Sequence, residues 1–317
     1  LAENMTSFVA VSKTLAAAGL TVPEVQSYDI EKGLLLTTDL GDDQYFHLIT
    51  EQGQNQQKLY EPAIDVLVKV RQLPPAPVNF DNLTYQLPAY DDEALSIESE
   101  LVIDWYWPVV KQSPISEEGR GVYKAIWQKL FNALKTNNRH WVLRDFHSPN
   151  LMYIKSRTGI ESVGIIDFQD AVIGHPAYDV VSLCQDARLM VKGEMEQHLK
   201  HRYLEQVSIR EPGFDKEDFQ KAYAILGAQR ASKLLGIFVR LSVRDGKSNY
   251  LTHIPRIWDY LERNLQHSAL SELAEWYQIN FPPELRAEWF NTNHQPKMPN
   301  LTQCKPSEQA KEQGEQW

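Results

Sequence analysis

The sequence predicts an α+β protein in which a few short strands serve a mostly helical chain. Short apolar runs of strand type are confined to residues 25–38 and 141–166, while from Tyr178 to Leu265 apolar residues recur almost throughout at helical spacing. The composition, 43% hydrophobic and 23% charged over 317 residues, is that of an ordinary globular protein, long enough to bury a core without covalent staples.

In chain order, Phe8, Val11, Leu15 and Ala18 share one face of a helix over 3–18, with Gly19 as its C-cap and Pro23 as a stop. Val25–Ile30 and Leu34–Thr38, joined by Glu31-Lys32-Gly33, read as a hairpin that ends at Asp39-Leu40-Gly41-Asp42. Leu59, Ala63, Ile64, Leu67 and Val70 predict a helix over Lys58–Leu73, which Pro74, Pro75 and Pro77 close as a linker. Residues 93–111, with the run Trp105-Tyr106-Trp107, and Glu117–Lys135 are expected to be helical. Three strands follow at Trp141–Leu143, Leu151–Ile154 and Val163–Ile166, with a tight polar connection at Ser156-Arg157-Thr158-Gly159. Helices are expected over Val180–Met190, Met195–Val207, Asp218–Val243 and Tyr250–Leu265. Beyond Asn291, three prolines, five glutamines and few apolar residues predict a tail (291–317) that does not offset its own ordering entropy.

The formal charge of −10 argues against broad nucleic-acid or membrane-surface binding. Cys184 and Cys304 are too few for a disulfide framework and too far apart for a metal knuckle. With no signal peptide and no run of about 18 apolar residues, a cytoplasmic location is expected. The chain opens on Leu1 rather than Met and directly into a helix, so an upstream segment is expected as well.

Chemistry concentrates in Leu143-Arg144-Asp145-Phe146-His147-Ser148-Pro149-Asn150 and in Val163-Gly164-Ile165-Ile166-Asp167-Phe168-Gln169-Asp170. An Asp-x-x-x-x-Asn pair alone means little, since about one arises by chance in a chain of this size. Its position between two apolar strands, followed by an Asp at the end of the third, is far rarer. A hairpin of the last two strands would set Asn150 beside Asp167. An amide oxygen and a carboxylate are hard ligands that can share a Mg²⁺ retaining several waters. Asp145 lies one loop away, where it can accept a hydrogen bond from an incoming hydroxyl, as phosphoryl transfer requires. The plainer alternative is that Asp145 and Asn150 cap turns and Asp167 ends a strand.

The order Arg-Asp-x-x-x-x-Asn then Asp-Phe-x resembles the catalytic and metal loops of protein-kinase-like folds. The run Gly174-His175-Pro176-Ala177-Tyr178-Asp179-Val180-Val181-Ser182-Leu183 resembles instead the aminoglycoside phosphotransferase and choline kinase superfamily. Within it, Arg144–Met152, Ile166–Leu183, Leu226-Gly227-Ala228-Gln229-Arg230, Leu235-Gly236-Ile237-Phe238 and Arg244-Asp245-Gly246-Lys247 look closest to bacterial N-acetylmuramate/N-acetylglucosamine anomeric kinases. The resemblance implies a bilobal protein-kinase-like fold, with the remainder of a truncated small lobe, the hinge and the first large-lobe helix in 1–77, and a mostly helical large lobe carrying the catalytic and metal loops in 78–290. It implies transfer of the γ-phosphoryl group of ATP, with Mg²⁺, to a sugar hydroxyl in cell-wall recycling. Asp145 resembles the catalytic Asp, Asn150 and Asp167 the metal ligands, Asp179 a structural Asp holding the catalytic loop, and Thr37-Thr38-Asp39-Leu40 the adenine hinge. An aminoglycoside, choline or amino-alcohol acceptor, or a non-catalytic binding module, are the alternatives, and the sequence leaves the oligomeric state open. There are departures. Leu143 stands where a His often precedes the loop, Gln169 replaces the Gly of Asp-Phe-Gly, and neither a Gly-rich phosphate loop nor a Val-Ala-x-Lys strand occurs.

Other residues carry weaker expectations. His147 would bond substrate or phosphate, or else brace the loop, and Arg144 would neutralise charge at the site or pair structurally. Glu3 would meet a strand Lys or be a solvated first-turn residue. One face of the Trp105-Tyr106-Trp107 run could stack on a sugar while the others enter the core. Glu98, Glu100 and Asp104 could bond hydroxyls or be solvated. Arg230, Arg240 and Arg244 could receive a sugar carboxylate or form salt bridges.

Overall fold

The computed structural model describes residues 2–134 and 139–292. In chain order it contains α1 (Ala2–Ala17), β1 (Val25–Asp29), β2 (Leu34–Thr37), α2 (Tyr45–Thr50), α3 (Gln56–Val70), β3 (Val78–Phe80) and β4 (Leu83–Tyr85). There follow α4 (Asp92–Leu101), a π-helical turn Val102–Tyr106, α5 (Trp107–Lys111), α6 (Glu117–Asn132) and β5 (His140–Val142). Then come β6 (Leu151–Tyr153), β7 (Val163–Ile165), β8 (Val172–Gly174), α7 (Ala177–Cys184) and α8 (Gly193–Arg210). The chain continues through α9 (Lys216–Asp245), α10 (Ile254–Leu265), α11 (Ser271–Asn280) and α12 (Pro283–Thr292). Apart from residues 291 and 292, the expected tail lies outside the described residues, as does the side chain of Glu3.

Contacts gather the chain into two compact units, Leu1–Tyr90 with Thr136–Tyr223, and Asp91–Lys135 with Ala224–Trp317. In the first, all four strand pairs are antiparallel two-stranded ladders: β1–β2, β3–β4, β5–β8 and β6–β7. Isolated bridges stitch Thr21 to Gly164, Gln44 to Met152 and Ala89 to Ile173. The core of this unit includes Val9, Tyr45, Tyr60, Ile64, Trp141 and Phe146, all essentially buried. Arg71 is buried too, and its guanidinium meets Glu211 through two hydrogen bonds of 2.7 and 2.8 Å.

The second unit is helical. Tyr106 packs against Trp258, Phe281 and Trp289, and Trp107 against Trp276. Two residues of the aromatic run therefore serve the core. α9 and α4 cross at backbone contact: a Cβ on Gly236 would lie 2.2 Å from the Leu101 carbonyl oxygen. Along the same face, Lys233 Nζ bonds Glu98 Oε1 at 2.8 Å and Gln229 donates to Glu98 Oε2 at 3.0 Å.

The structure departs from the sequence reading in several places, among them the helices α2, α11 and α12, which the reading does not name. β3, β4 and β8 were not anticipated, because three-residue strands are too short to show a period. A π turn interrupts the helix expected over 93–111. The helix expected to run to Met190 stops at Cys184, because the Asp186 carboxylate takes the N–H groups of Arg188 and Leu189, offering that backbone an alternative to the helix.

Candidate active site

The site grows from the loop after β5. Asp179, 2% exposed on α7, accepts from the backbone N–H of Leu143 at 2.7 Å and of Arg144 at 2.8 Å. This grip holds Arg144 in the left-handed region at φ 69°, which turns the chain so that Asp145 follows at the mouth of the loop. The Arg144 guanidinium lies 5.4 Å from the Tyr90 ring centre. Asp145 N–H then bonds the Leu143 carbonyl at 2.9 Å, and a 3₁₀ turn at Ser148–Asn150 delivers Asn150 to the start of β6.

β6 and β7 pair Leu151 with Ile165, so the residues just outside that pair, Asn150 and Ile166, close the ladder. Asp167 follows at φ 59°, the second left-handed non-glycine residue of the site. Asn150 Nδ2 donates to Asp167 Oδ2 at 3.1 Å and to the Asp145 carbonyl at 3.0 Å, so one amide ties the three residues together. Gln169 Nε2 donates to Asp167 Oδ1 at 2.8 Å. Phe168 is buried, with its ring 4.9 Å from that of Phe8 on α1.

Among the described residues no cluster of three or more His, Cys, Asp or Glu could hold a metal on its own. Asn150 and Asp167 instead adjoin through the Asn150 amide, and an amide oxygen with a carboxylate is a hard donor pair that could hold a Mg²⁺ completed by water and phosphate. With the Asn150 N–H₂ committed to Asp167 and Asp145, its Oδ1 is the atom left to accept or ligate.

Of the residues expected to form a hinge, Leu40 lies against the same hairpin. Thr38 exchanges hydrogen bonds with the Glu24 backbone at 2.8 and 2.9 Å, and Asp39 Oδ1 accepts from Gly41 N–H at 2.8 Å. Leu40 Cδ1 sits 3.0 Å from where a Cβ on Gly164 would begin, so a side chain there would have to push Leu40 aside. Thr37 ends β2, opposite Val25.

His147 is buried, and its Nε2 lies 4.0 Å from Asp145 Oδ1. Two residues of this neighbourhood escaped the sequence reading. Asp186, 0% exposed, accepts from the N–H of Ser148 at 3.1 Å and from its hydroxyl, and Arg188 Nη1 lies 3.1 Å from His147 Nε2. The available signal was an Asp-x-Arg directly after an apolar helix, which reading the helix through to Met190 concealed.

The structure thus brings Asp145, His147, Asn150 and Asp167 together within the first unit, with Asp179 bracing their loop; of the expected hinge residues, Leu40 reaches β7 at Gly164. The remaining candidates belong to the second unit. Glu98 is buried with Lys233 and Gln229, correcting the expectation of a solvated or sugar-binding carboxylate. Glu100 and Asp104 pair with Arg120 at 3.2 and 2.7 Å. Arg244 bonds Asp245, while Arg230 and Arg240 are each 4% exposed.

A model of the phosphotransferase enzyme family matches residues 1–216. The chain is 37% identical over 286 residues to an N-acetylmuramate/N-acetylglucosamine kinase of Caulobacter vibrioides, covering 90% of this chain and 77% of that protein. It is 34% identical over 280 residues to a protein of the same description from Pseudomonas aeruginosa, covering 86% and 77%. A choline/ethanolamine kinase family protein from Mesorhizobium loti has a similar fold, with a TM-score of 0.55 at 12% identity over 86% of this chain and 83% of that one. An ADP-bound aminoglycoside phosphotransferase, APH(2'')-Ib, gives 0.50 at 13% identity over 83% of each.

Proposed function

Because the chain belongs to the phosphotransferase enzyme family, we propose that it moves the γ-phosphoryl group of ATP to the anomeric hydroxyl of N-acetylmuramate or N-acetylglucosamine. The observation that carries this reading is the single amide of Asn150, which bonds Asp167 and the Asp145 backbone at once. The relatives' names supply the sugar.

In this reading the Asp145 carboxylate accepts a hydrogen bond from the acceptor hydroxyl and takes its proton as the new P–O bond forms and the bond to ADP breaks. An anomeric hydroxyl is more acidic than an ordinary alcohol, so a carboxylate of ordinary basicity suffices. Asn150 and Asp167 would hold Mg²⁺, which would supply charge neutralisation for the transferring phosphates. The backbone of Thr37-Thr38-Asp39-Leu40 receives adenine, residues 1–77 supply the remainder of a small lobe, the hinge and the first large-lobe helix, and 78–290 the rest of the large lobe. Asp179 fixes the loop by its two backbone contacts.

The test is ADP release with N-acetylmuramate, N-acetylglucosamine and kanamycin side by side, with the product's phosphate located by phosphorus NMR. Sugar 1-phosphate is expected, and turnover with kanamycin alone would end the reading. Asp145→Asn should lower turnover by about 10³-fold or more while nucleotide still binds, whereas Asp167→Asn should weaken magnesium-dependent nucleotide binding.

A further inference from the structure

We propose that Arg188 is the receptor for a carboxylate on the acceptor sugar, the residue by which the site prefers an acidic amino sugar to a neutral one. This rests on the kinase reading above and adds to it the group that selects the substrate.

The placement of Arg188 is built. Asp186 spends one oxygen on the catalytic loop, at Ser148, and the other on the backbone N–H of Arg188 at 2.8 Å. One buried carboxylate therefore holds the loop and the arginine in a common frame. The guanidinium reaches back to the loop, with Nη1 3.1 Å from His147 Nε2. A guanidinium has no lone pair to offer, so the imidazole accepts through Nε2 and carries its proton on Nδ1. That same Nε2 faces Asp145 Oδ1 at 4.0 Å. Arg188 and Asp145 thus converge on one ring nitrogen.

The chemistry of Arg188 is unfinished. Its contact with a neutral imidazole is its one side-chain hydrogen bond among the described residues, and no carboxylate pairs with it there. Elsewhere in the same unit, Arg71 and Arg202 are each matched through two hydrogen bonds to a carboxylate, Glu211 and Asp65. A half-buried guanidinium left with most of its N–H donors unused, in a chain of formal charge −10, is arranged for an anion from outside.

Its position says which anion. Arg188 bonds His147 at the Asp145 end of the site, where the acceptor hydroxyl would bind, and among the described residues it makes no hydrogen bond or ion pair with Asn150 or Asp167, where the phosphates would belong. An acceptor carboxylate there would be repelled by Asp145, and a fixed guanidinium offsets that repulsion while reading the planar group through two parallel hydrogen bonds.

The test compares kcat/KM for N-acetylmuramate, its lactyl amide and N-acetylglucosamine in the unmodified protein, Arg188→Gln and Arg188→Lys. The unmodified protein is expected to prefer the acid over the amide by about tenfold or more, mainly through KM. Arg188→Gln should erase that preference, and Arg188→Lys should restore part of it. Equal use of acid and amide by the unmodified protein overturns the proposal without any variant. Equal losses on all three sugars in Arg188→Gln overturn it too, and move the arginine to the transferred phosphoryl group. No turnover of any of the three by the unmodified protein overturns the amino-sugar reading, and the proposal with it.

Discussion

Two non-glycine residues of the site, Arg144 and Asp167, sit in the left-handed region, and each adjoins or is a group expected to do chemistry. Such backbone persists only where the surroundings over-determine it. For Arg144 the restraint is visible, since Asp179 takes its N–H and that of Leu143. Asp179→Ala would leave two buried donors unmatched. It is expected to lower stability by about 2–4 kcal/mol and turnover by more than tenfold, with the KM for nucleotide changed less; denaturant melts and steady-state kinetics read the two effects separately. The candidate site was legible as a cluster because side-chain chemistry, spacing and neighbouring apolar strands coincide at Asp145, Asn150 and Asp167. Asp186 and Arg188 were not. Their roles depend on a carboxylate turning back on its own backbone, and the periodicity on either side carries no trace of that.

Periodicity works for long elements and fails for short ones. α3, α6 and α9 emerged within a few residues of their observed limits, because each repeats its buried residues over several turns. The Trp105-Tyr106-Trp107 run was read at ordinary helical spacing, and the π turn changes which way each ring points. Gly236 was quoted as part of a resemblance, and the structure gives it a physical reason. Its missing side chain lets α9 touch the α4 backbone at Leu101. Gly236→Ala forces a methyl group into a carbonyl oxygen and should destabilise by about 3 kcal/mol, despite the helix propensity alanine adds. Chemical denaturation monitored by circular dichroism measures this directly, and a neutral or stabilising outcome would mean that the crossing is looser than described.

Taken whole, the molecule should respond to acid unevenly. In the first unit, burial pushes His175 down to about 3 from an ordinary 6.5. Below pH 6.5 the unfolded chain takes up a proton that the folded one refuses, so stability present above that value is lost as pH falls toward 3, by up to about 1.4 kcal/mol per pH unit. Glu211, held low by its hydrogen bonds to Arg71, loses its contribution as pH falls further, which is the same direction. In the second unit, burial raises Asp104 against the pull of Arg120, and protonation there relieves strain as pH falls. Hydrogen exchange between pH 7 and 5 should show the first unit opening before the second. His175→Asn, which keeps an acceptor for the Ala177 N–H, should flatten the dependence. Among the described residues no helix is long and apolar enough to cross a membrane. The mixed architecture was legible from where strand-like and helix-like runs fall, but the division into two contact units was not, because each is assembled from segments far apart in sequence. The Phe8 ring on Phe168 joins the opening helix to the loop bearing Asp167 across 160 positions of chain. Whatever displaces α1 therefore disturbs the immediate neighbour of Asp167, so this helix is a handle on the carboxylate proposed to hold the ion.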